Sequence, residues 1–463
     1  MKEISTICAI ATAAGHGAIA VIRLSGDEAI TITDKVFRSP SGKKLAGQKP
    51  NTIHFGSIAD NHEIIDEVLV SLFKAPYSYT GEDVVEISCH GSGYIQQQIL
   101  QLLIKTGAEM AKPGEFTMRA FFNGKMDLSQ AEAVADIISG ESKASHDMAI
   151  NQIRGGFSTE IHILRSKLLD FCSLLELELD FSEEDVEFAD RTQLKANLDE
   201  IQIHLDKLVK SFSLGNVLKN GVPVAIVGRP NVGKSTLLNS LLQEEKAIVS
   251  EIAGTTRDVI EDVINIDGIE FRFIDTAGIR HTTDKIESMG IERTFAKIEQ
   301  ARIILLLVEA SQTVEDIKKQ IEEISPSPDQ LLIVVVNKID LITDNNLETL
   351  LGGSNGFAPC PTLFLSAKRH INTHALNELL LSTVKDSNVQ PGDIVVSNAR
   401  HYEALSKALE ATIRADEGLT NGLASDLVAQ DIREVLYYLS EITGEIATNE
   451  ILGNIFSKFC IGK

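Results

Sequence analysis

The spacing of hydrophobic positions changes three times along the chain. In residues 1–123, short apolar runs at residues 19–24, 67–73 and 84–88 lie between turns rich in Gly, Pro and Asn. Such runs predict β-strands, and their arrangement is typical of an α+β domain. We therefore expect an N-terminal α+β domain over residues 1–123.

A helical spacing follows over residues 124–220. Ser129 with Glu132 three positions later predicts a capping box at the start of the first helix. Further on, apolar residues recur every three or four positions, which predicts an amphipathic helix, at Leu164, Leu168, Cys172, Leu175 and Leu179. We expect this segment to be mostly helical.

Strands and helices alternate over residues 221–384. Short apolar runs that contain β-branched residues, such as residues 303–308 and 331–336, each end in a loop signal, as in a doubly wound parallel sheet. Residues 385–463 form a second helical segment. Because helical segments lie on both sides of the α/β segment, the simplest arrangement is one helical domain, 124–220 with 385–463, into which residues 221–384 are inserted.

Composition narrows the class of protein. The net charge of −23 argues against a broad basic surface for nucleic acid, so an RNA partner would need local basic patches or a helper subunit. The five cysteines form no C-x-x-C pair, which predicts free thiols rather than a zinc site or a disulfide framework. The apolar runs are far shorter than the roughly 20 residues of a membrane span, and the N-terminus lacks secretory features, so we expect a cytoplasmic protein without membrane contact.

A phosphate-binding loop is predicted where a strand at residues 222–227 meets a helix. The segment Gly228-Arg-Pro-Asn-Val-Gly233-Lys234-Ser235 has glycines that let backbone N–H groups approach phosphates. Lys234 is predicted to reach the β- and γ-phosphate oxygens, and Ser235 to bind Mg²⁺.

Two further segments complete the predicted phosphate and metal site. The strand at residues 271–274 leads into Asp275-Thr-Ala-Gly278, so Asp275 can hold the magnesium shell while the Gly278 N–H senses the γ-phosphate. Ahead of it, Gly254-Thr255-Thr256 supplies a threonine that can complete that shell. After Gly278 stands Ile279, where Ras-like proteins carry a glutamine, so another group must align the attacking water.

A base-reading site is predicted after two later strands. Asp340 can accept from guanine N1 and N2, Asn337 can contact the O6/N7 edge, and the Lys338 stem can cover the ring. Adenine would leave the carboxylate of Asp340 unpaired, so GTP is the predicted nucleotide. The segment Ser366-Ala367-Lys368 offers a backbone N–H to the base oxygen.

These segments, in this order, resemble the five signature motifs of translation-factor-like GTPases. The predicted fold is therefore a multidomain α/β protein in which a Ras-like P-loop GTPase domain is inserted in an all-α helical domain and preceded by an α+β domain. The predicted GTP-binding residues are Asn231, Val232, Gly233, Lys234, Ser235, Thr236, Ser250, Glu251, Ile252, Ala253, Gly254, Thr255, Thr256, Asp275, Thr276, Ala277, Gly278, Asn337, Lys338, Asp340, Ser366, Ala367 and Lys368.

Further strings extend a resemblance along the whole chain. They are Asn231-Val-Gly-Lys-Ser-Thr236, Ile252-Ala-Gly-Thr-Thr-Arg-Asp258, Gly290-Ile-Glu-Arg293, Pro113-Gly-Glu-Phe116, Asp127-Leu-Ser-Gln-Ala-Glu132 and the terminal Cys460-Ile-Gly-Lys463. With these strings the chain resembles the tRNA-modification GTPases of the MnmE (TrmE) family. The ending is not a prenylation signal, because Gly462 and the final lysine are both unfavourable there.

The resemblance implies partners and a second site. It implies a homodimer that forms a heterotetramer with an MnmG/GidA-type flavoprotein and adds an aminomethyl or carboxymethylaminomethyl group at C5 of wobble uridine 34 of certain tRNAs. It also implies 5-formyl-tetrahydrofolate or a related folate as the one-carbon donor, held by the N-terminal domain. The matching folate residues are Arg23, Glu86, Lys125 and Lys463, with Cys460 facing the one-carbon unit as a catalytic thiol.

The resemblance further implies two cations at the nucleotide site. Ser235 and Thr256 match the Mg²⁺ ligands, and Asn231, Ser250, Ile252 and Thr255 match the ligands of a K⁺ ion that takes over part of an arginine finger's role. With Lys234, the matching catalytic residue is Glu287, which positions water indirectly when two GTPase domains meet. On residue type alone, a solvated charge on a helix surface is the more common role for a residue such as Glu287.

Two alternative functions fit parts of the chain. A regulatory GTPase for ribosome assembly shares the GTPase core, but no basic RNA-binding module follows that core here. A folate-dependent aminomethyltransferase with an accessory GTPase would transfer one-carbon units to a small molecule without tRNA.

Overall fold

The computed structural model describes residues 5–180, 191–246, 262–274, 298–328, 330–342, 357, 360–385 and 394–463. The chain folds into two units. One contains Met1–Ile138, Ala149–Gln202 and Lys407–Lys463, and the other contains Ser139–Met148 and Ile203–Ser406. The predicted fold class, an α+β domain followed by a helical domain with an inserted α/β GTPase domain, is confirmed, whereas the residue boundaries of the three domains stay predictions.

A seven-stranded sheet organises the N-terminal part, with strands in the order β3-β4-β5-β6-β2-β1-β7. Neighbouring strands are antiparallel except the parallel pair β1 and β7. The strands are β1 (Ile7–Ile10), β2 (Ile19–Ser25), β3 (Phe37–Arg38), β4 (Thr52–Asp60), β5 (Glu63–Phe73), β6 (Val84–His90) and β7 (Glu109–Met110). Strands β2, β5 and β6 confirm the three predicted runs.

Helices α1 (Ala29–Val36) and α2 (Gly93–Thr106) cover one face of this sheet. Their buried residues, such as Ile32 and Ile99, join alternate strand residues such as Ile22 and Ile87 in one hydrophobic core. Because side chains alternate along a strand, the other positions of β2 and β6, including Arg23 and Glu86, lie on the opposite face.

A helix α3 (Glu115–Phe122) ends just before the predicted helical segment, residues 124–220. That segment contains α4 (Leu128–Ser139), α5 (Lys143–Ile153), α6 (Gly156–Asp180) and α7 (Arg191–Asn220). The helical spacing is confirmed in α6, since four of its predicted apolar positions are buried: Leu164, Leu168, Cys172 and Leu175. The side chain of Leu179 lies outside the described part of the chain.

The predicted capping box was placed two residues too late. Asp127 is the residue that caps α4, because its Oδ1 accepts from the Gln130 backbone N–H at 2.9 Å, and the Gln130 Oε1 accepts from the Asp127 N–H at 2.9 Å. Ser129 lies inside the helix and donates to Asp127. The Asp127–Gln130 pair makes the reciprocal hydrogen bonds that were predicted for Ser129 and Glu132. The prediction of a capping box was therefore right, and its position in the sequence was wrong.

A six-stranded sheet organises the α/β part, in the order β13-β12-β11-β8-β10-β9. All neighbours are parallel except the antiparallel pair β9 and β10. The strands are β8 (Val222–Val227), β9 (Asp262–Ile266), β10 (Ile269–Phe273), β11 (Ile303–Glu309), β12 (Leu331–Asn337) and β13 (Thr362–Phe364).

Both faces of this sheet are buried. In β11, odd-numbered residues such as Leu305 belong to the hydrophobic cluster that includes α8 (Lys234–Lys246) and α10 (Thr373–Lys385). Even-numbered residues such as Leu306 belong to the cluster that includes α9 (Val314–Ile324). This explains why β11 and β12 are continuous apolar runs rather than alternating ones.

The C-terminal part forms α11 (Ala399–Thr420), α12 (Ser425–Thr443) and α13 (Asn449–Phe456). Thr448 caps α13, since its hydroxyl accepts from the Ile451 N–H at 3.3 Å. Leu452 and Phe456 of α13 are buried in a cluster with residues of α4. The chain after Phe456 therefore continues from a docked helix. None of the helices in the described ranges is long and apolar enough to cross a membrane.

Candidate functional site

The predicted phosphate loop connects β8 to α8 and needs glycine at both ends. Gly228 has φ +147°, and a Cβ there would lie 2.2 Å from the carbonyl oxygen of Leu307. Gly233 has φ +103°, and a Cβ there would lie 2.4 Å from Nδ2 of Asn337. Neither position can accept a side chain without moving the loop, so both glycines let the backbone pass close to neighbouring groups.

Lys234 lies against the loop that it follows. Its Nζ donates to the carbonyl oxygens of Gly228 at 2.7 Å and Arg229 at 2.9 Å. The next two residues, half-buried Ser235 and exposed Thr236, belong to the first turn of α8. The ammonium and the N–H groups of that turn therefore lie where the predicted phosphates would bind.

Asn337 at the end of β12 joins the two sides of the nucleotide site. Its side chain is 2% exposed. Nδ2 donates to the Val232 carbonyl at 2.8 Å, and Oδ1 accepts from the Ala367 N–H at 3.0 Å. One amide hydrogen and the amide oxygen of Asn337 are already used in these two hydrogen bonds. The predicted contact with guanine would therefore be made by the second hydrogen of the Asn337 amide.

The predicted base-reading carboxylate is held by a hydroxyl. Ser366 Oγ donates to Asp340 Oδ1 at 2.6 Å. This hydrogen bond, followed by the positive charges of Arg369 and Lys368, lowers the pKa of the exposed Asp340 below its ordinary value. Asp340 is therefore an ionised acceptor, which suits the N–H groups at guanine N1 and N2.

Lys338 is positioned by its backbone and by an acid. It has φ +64°, and its Nζ lies 3.0 Å from Oε2 of Glu309, the last residue of β11. Sequence reasoning did not identify Glu309, since an acid at a strand end has no distinguishing signal. This ion pair holds the Lys338 stem, which is the part predicted to cover the guanine ring.

Several predicted residues lie outside the described part of the chain. They are Ser250, Glu251, Ile252, Ala253, Gly254, Thr255, Thr256, Asp275, Thr276, Ala277, Gly278, Ile279 and Glu287. Of the predicted cation ligands, the structure describes Asn231, which is exposed with φ +63°, and Ser235.

A second group of predicted residues meets on the face of the N-terminal sheet opposite α1 and α2. Arg23 and Glu86 are cross-strand partners, with Nη2 to Oε1 at 2.7 Å and Nε to Oε1 at 2.9 Å. The Arg23 guanidinium lies 5.4 Å from the ring centre of Tyr79 and 5.7 Å from that of Phe116. Burial raises the pKa of Tyr79. Sequence reasoning did not identify Tyr79, because only the fold brings it beside β2.

The C-terminal tail reaches the same place. The Gly462 carbonyl oxygen lies 3.5 Å from Arg23 Nη1, and the Cys460 carbonyl accepts from the Gly114 N–H at 3.4 Å. Gly462 has φ +96°, and a Cβ there would lie 2.4 Å from the Ile10 carbonyl oxygen. Cys460 is exposed and Lys463 is half-buried. The structure thus brings the tail to the Arg23–Glu86 pair.

The ammonium group of Lys125 contacts a backbone carbonyl and not the Arg23–Glu86 pair. Its Nζ donates to the Pro76 carbonyl at 3.0 Å.

All five cysteines are free, as predicted. The described ranges contain no group of three or more His, Cys, Asp and Glu side chains arranged to hold a metal ion.

Comparison with known proteins covers nearly the whole chain. Residues 6–125 match the family model described as GTP-binding protein TrmE N-terminus, and residues 128–460 match the MnmE helical domain. A solved structure of translation elongation factor SelB from Methanococcus maripaludis, in complex with the GTP analogue GppNHp, is 15% identical over 36% of this chain and 35% of its own, with a TM-score of 0.26, too low to bear on the fold.

Several relatives are named tRNA modification GTPase MnmE, and three of them illustrate the similarity. Those of Bacteroides thetaiotaomicron and Bacteroides fragilis are 57% and 56% identical over 99% of both chains. That of Christiangramia forsetii is 54% identical over the full length of both. Identity of this level over both chains shows common family membership. Together with the nucleotide site, it establishes that the chain belongs to the MnmE (TrmE) family of tRNA modification GTPases.

Proposed function

We propose that this protein binds and hydrolyses GTP and uses the reaction to drive modification of wobble uridine 34 in tRNA. The observation that carries the proposal is the Asn337 bridge. One buried side chain ties the phosphate loop at Val232 to the base-side segment at Ala367, so phosphate and base recognition form one site. Such a bridge suits a nucleotide that spans both segments.

Guanine selectivity follows from the Asp340–Ser366 pair. An ionised carboxylate offers acceptors only, so it matches the two N–H groups of guanine N1 and N2. Adenine presents no N–H at its N1, so bound adenine would offer this carboxylate no matching pair of donors. The base-side geometry therefore supports GTP over ATP.

The phosphate side supports a triphosphate with bound cations. Gly228 and Gly233 have no room for a side chain, so the backbone N–H groups of the loop stay accessible to a phosphate ligand. Ser235 with Thr256 would hold Mg²⁺, and Asn231 with the backbone of Ser250, Ile252 and Thr255 would hold K⁺. When bound, these cations would offset negative charge that develops on the transferred phosphate. Glu287 would position the attacking water indirectly when two GTPase domains meet, because Ile279 stands where Ras-like proteins carry a glutamine.

The N-terminal site supports a folate donor. Arg23 and Glu86 offer a charged pair beside the rings of Tyr79 and Phe116, a combination that suits a flat heterocycle with polar edges. Lys125 and Lys463 would pair with carboxylates of 5-formyl-tetrahydrofolate or a related folate, and the Cys460 thiol would face the one-carbon unit. The tail's contact with Arg23 supports this assignment.

The proposed function requires an assembly of this protein with a partner. A homodimer would join an MnmG/GidA-type flavoprotein in a heterotetramer that acts on tRNA, in the cytoplasm. Both the flavin chemistry and part of the tRNA contact would then come from the partner. This division of labour fits a chain whose net charge is −23.

Nucleoside analysis of tRNA from cells that lack this protein tests the proposal. We expect unmodified uridine at position 34 in the affected tRNAs, restored by the parent gene but not by Lys234→Ala, which removes the phosphate-binding ammonium. Normal wobble uridines together with a defect in ribosomal subunits would instead support a ribosome-assembly GTPase. One-carbon transfer to a small molecule in the absence of tRNA would support a folate-dependent aminomethyltransferase.

A further inference from the structure

One segment of this acidic chain is strongly basic. Between Asp34 and Asp60 the sequence contains no Asp or Glu, and it carries five cations: Lys35, Arg38, Lys43, Lys44 and Lys49. All five side chains are exposed. Within the described residues, none of them forms an ion pair. A run of unpaired cations in a chain of net charge −23 calls for a physical explanation.

The fold gathers these cations at one edge of the N-terminal sheet. Asp34 is buried, and its two carboxylate oxygens accept from the Leu45 N–H at 2.6 Å and the Ala46 N–H at 3.0 Å. The carboxylate is therefore used to fold the segment back on α1, and the cations remain on the outside. Lys74 adds a sixth cation, because its Nζ donates to the Gln48 carbonyl at 3.1 Å.

The position of this basic edge is defined by β3, which begins the strand order and pairs with β4 alone among the described strands. Arg38 of β3 lies opposite Ser57, which lies opposite Glu67. Glu67 is thus the acid in the same cross-strand row, two strand spacings or roughly 10 Å from Arg38. At physiological salt, charges more than about 8 Å away are largely screened, so Glu67 offsets little of the positive charge at this edge.

We propose that this basic edge, defined by Lys35, Arg38, Lys43, Lys44, Lys49 and Lys74, binds the phosphate backbone of the tRNA substrate. The proposal rests on the proposed function, which requires contact with a polyanion while most of the chain is acidic. Phosphate neutralisation needs clustered Lys and Arg, and here six are clustered, five of them exposed and Lys74 half-buried, with no ion pair among the described residues.

The edge also lies at a useful distance from the proposed folate site. Four strand spacings separate β3 from β2 in the sheet, which is roughly 19 Å measured across the strands. Backbone contacts at the edge would therefore fix the orientation of the RNA on the same sheet that holds the Arg23–Glu86 pair. Such contacts position the RNA and carry no sequence information.

The salt dependence of tRNA binding by the full chain tests this proposal. Lys43→Gln with Lys49→Gln removes two cations whose ammonium groups make no hydrogen bond in the structure's described part, so the fold should be kept. We expect the slope of log affinity against log salt to become shallower by about 2, with weaker binding to every tRNA sequence alike. The rate of GTP hydrolysis should stay that of the parent.

A matched control is Lys318→Gln with Lys319→Gln, two exposed lysines on α9 that remove the same charge elsewhere. This control should leave the slope unchanged. An equal slope in parent, edge variant and control would overturn the proposal and mean that the lysines only discourage pairing of an exposed sheet edge. Failure of the parent chain to bind tRNA would also overturn it.

A third measurement separates RNA from protein as the partner. If the edge variant binds tRNA like the parent but no longer captures the flavoprotein, the edge contacts an acidic protein surface and the proposal is wrong. None of these outcomes decides the wobble-uridine test in cells lacking the protein, so failure of the edge proposal is distinguishable from failure of the proposed function.

Discussion

The buried amide of Asn337 donates a 2.8 Å hydrogen bond to the backbone carbonyl of Val232, in the loop between β8 and α8. The two residues are 105 positions apart. On its other side, Asn337 accepts from the Ala367 N–H. The position of the phosphate loop thus depends on a residue from the base-side motif.

Asn337→Ala should weaken both the fold and nucleotide binding. It leaves the Val232 carbonyl and the Ala367 N–H without partners, and each such buried group costs about 1–3 kcal/mol. We expect a fall of about 2–4 kcal/mol in the free energy of unfolding, measured by urea denaturation, and at least about tenfold weaker GTP binding. Gln48→Ala, which removes one exposed amide bond to a backbone carbonyl, should change neither by much. If the two variants changed the free energy of unfolding and the GTP affinity equally, the proposed role of Asn337 in joining Val232 to Ala367 would be contradicted.

Asp340→Asn should shift nucleotide preference from GTP toward xanthosine triphosphate. The amine at guanine C2, from which Asp340 is predicted to accept, is a carbonyl in xanthine and needs a donor. The two affinities, measured for parent and variant, decide the question. A folded variant that still prefers GTP would remove Asp340 from the base site.

Ser366→Ala should make GTP binding sensitive to acid. The Ser366 hydroxyl lowers the pKa of Asp340, so the parent carboxylate stays ionised as the pH falls into the ordinary range of aspartate. Without the hydroxyl, that pKa rises and guanine binding should be lost at a higher pH than in the parent. Titration of GTP affinity against pH for both proteins checks the direction of this shift.

Potassium should stimulate GTP hydrolysis more than sodium at equal ionic strength, and Asn231→Gly should abolish the difference. Glycine tolerates the φ of +63° at this position, so the variant removes the amide ligand without straining the loop. Asn61→Gly, at φ +55° in another turn, is the matched control and should keep the potassium effect. Equal parent rates in the two salts would count against the ion site.

Gly462→Ala should abolish tRNA modification while GTP hydrolysis stays near normal. A Cβ at Gly462 would lie 2.4 Å from the Ile10 carbonyl, and the φ of +96° is itself unfavourable to alanine, so the tail must leave the Arg23 site. Gly453→Ala, in α13 with no atom within 4 Å of the added Cβ, should behave like the parent. Cys460→Ser should likewise abolish tRNA modification and leave GTP hydrolysis near normal. Loss of hydrolysis as well would mean that the tail supports folding.

Several features could be predicted from the sequence because they depend on neighbouring residues. The phosphate loop, the continuous apolar strands of the α/β part and the helical spacing of α6 are all local patterns. A strand buried on both faces must be apolar throughout, and a helix with one buried face must repeat every three to four residues. The error at the start of α4 had the same local origin, since Asp127 and Ser129 are both good capping residues and only the backbone geometry distinguishes them.

Other features depend on pairs of residues that are remote in sequence, and only the tertiary structure decided them. The Asn337–Val232 bond, the ion pair of Lys338 with Glu309 and the contact of Gly462 with Arg23 each join separate elements. The sequence determined which residue types were present, including a run of cations without acids. Packing decided which of them meet, because close approach depends on strand order, register and the volume of every side chain between them.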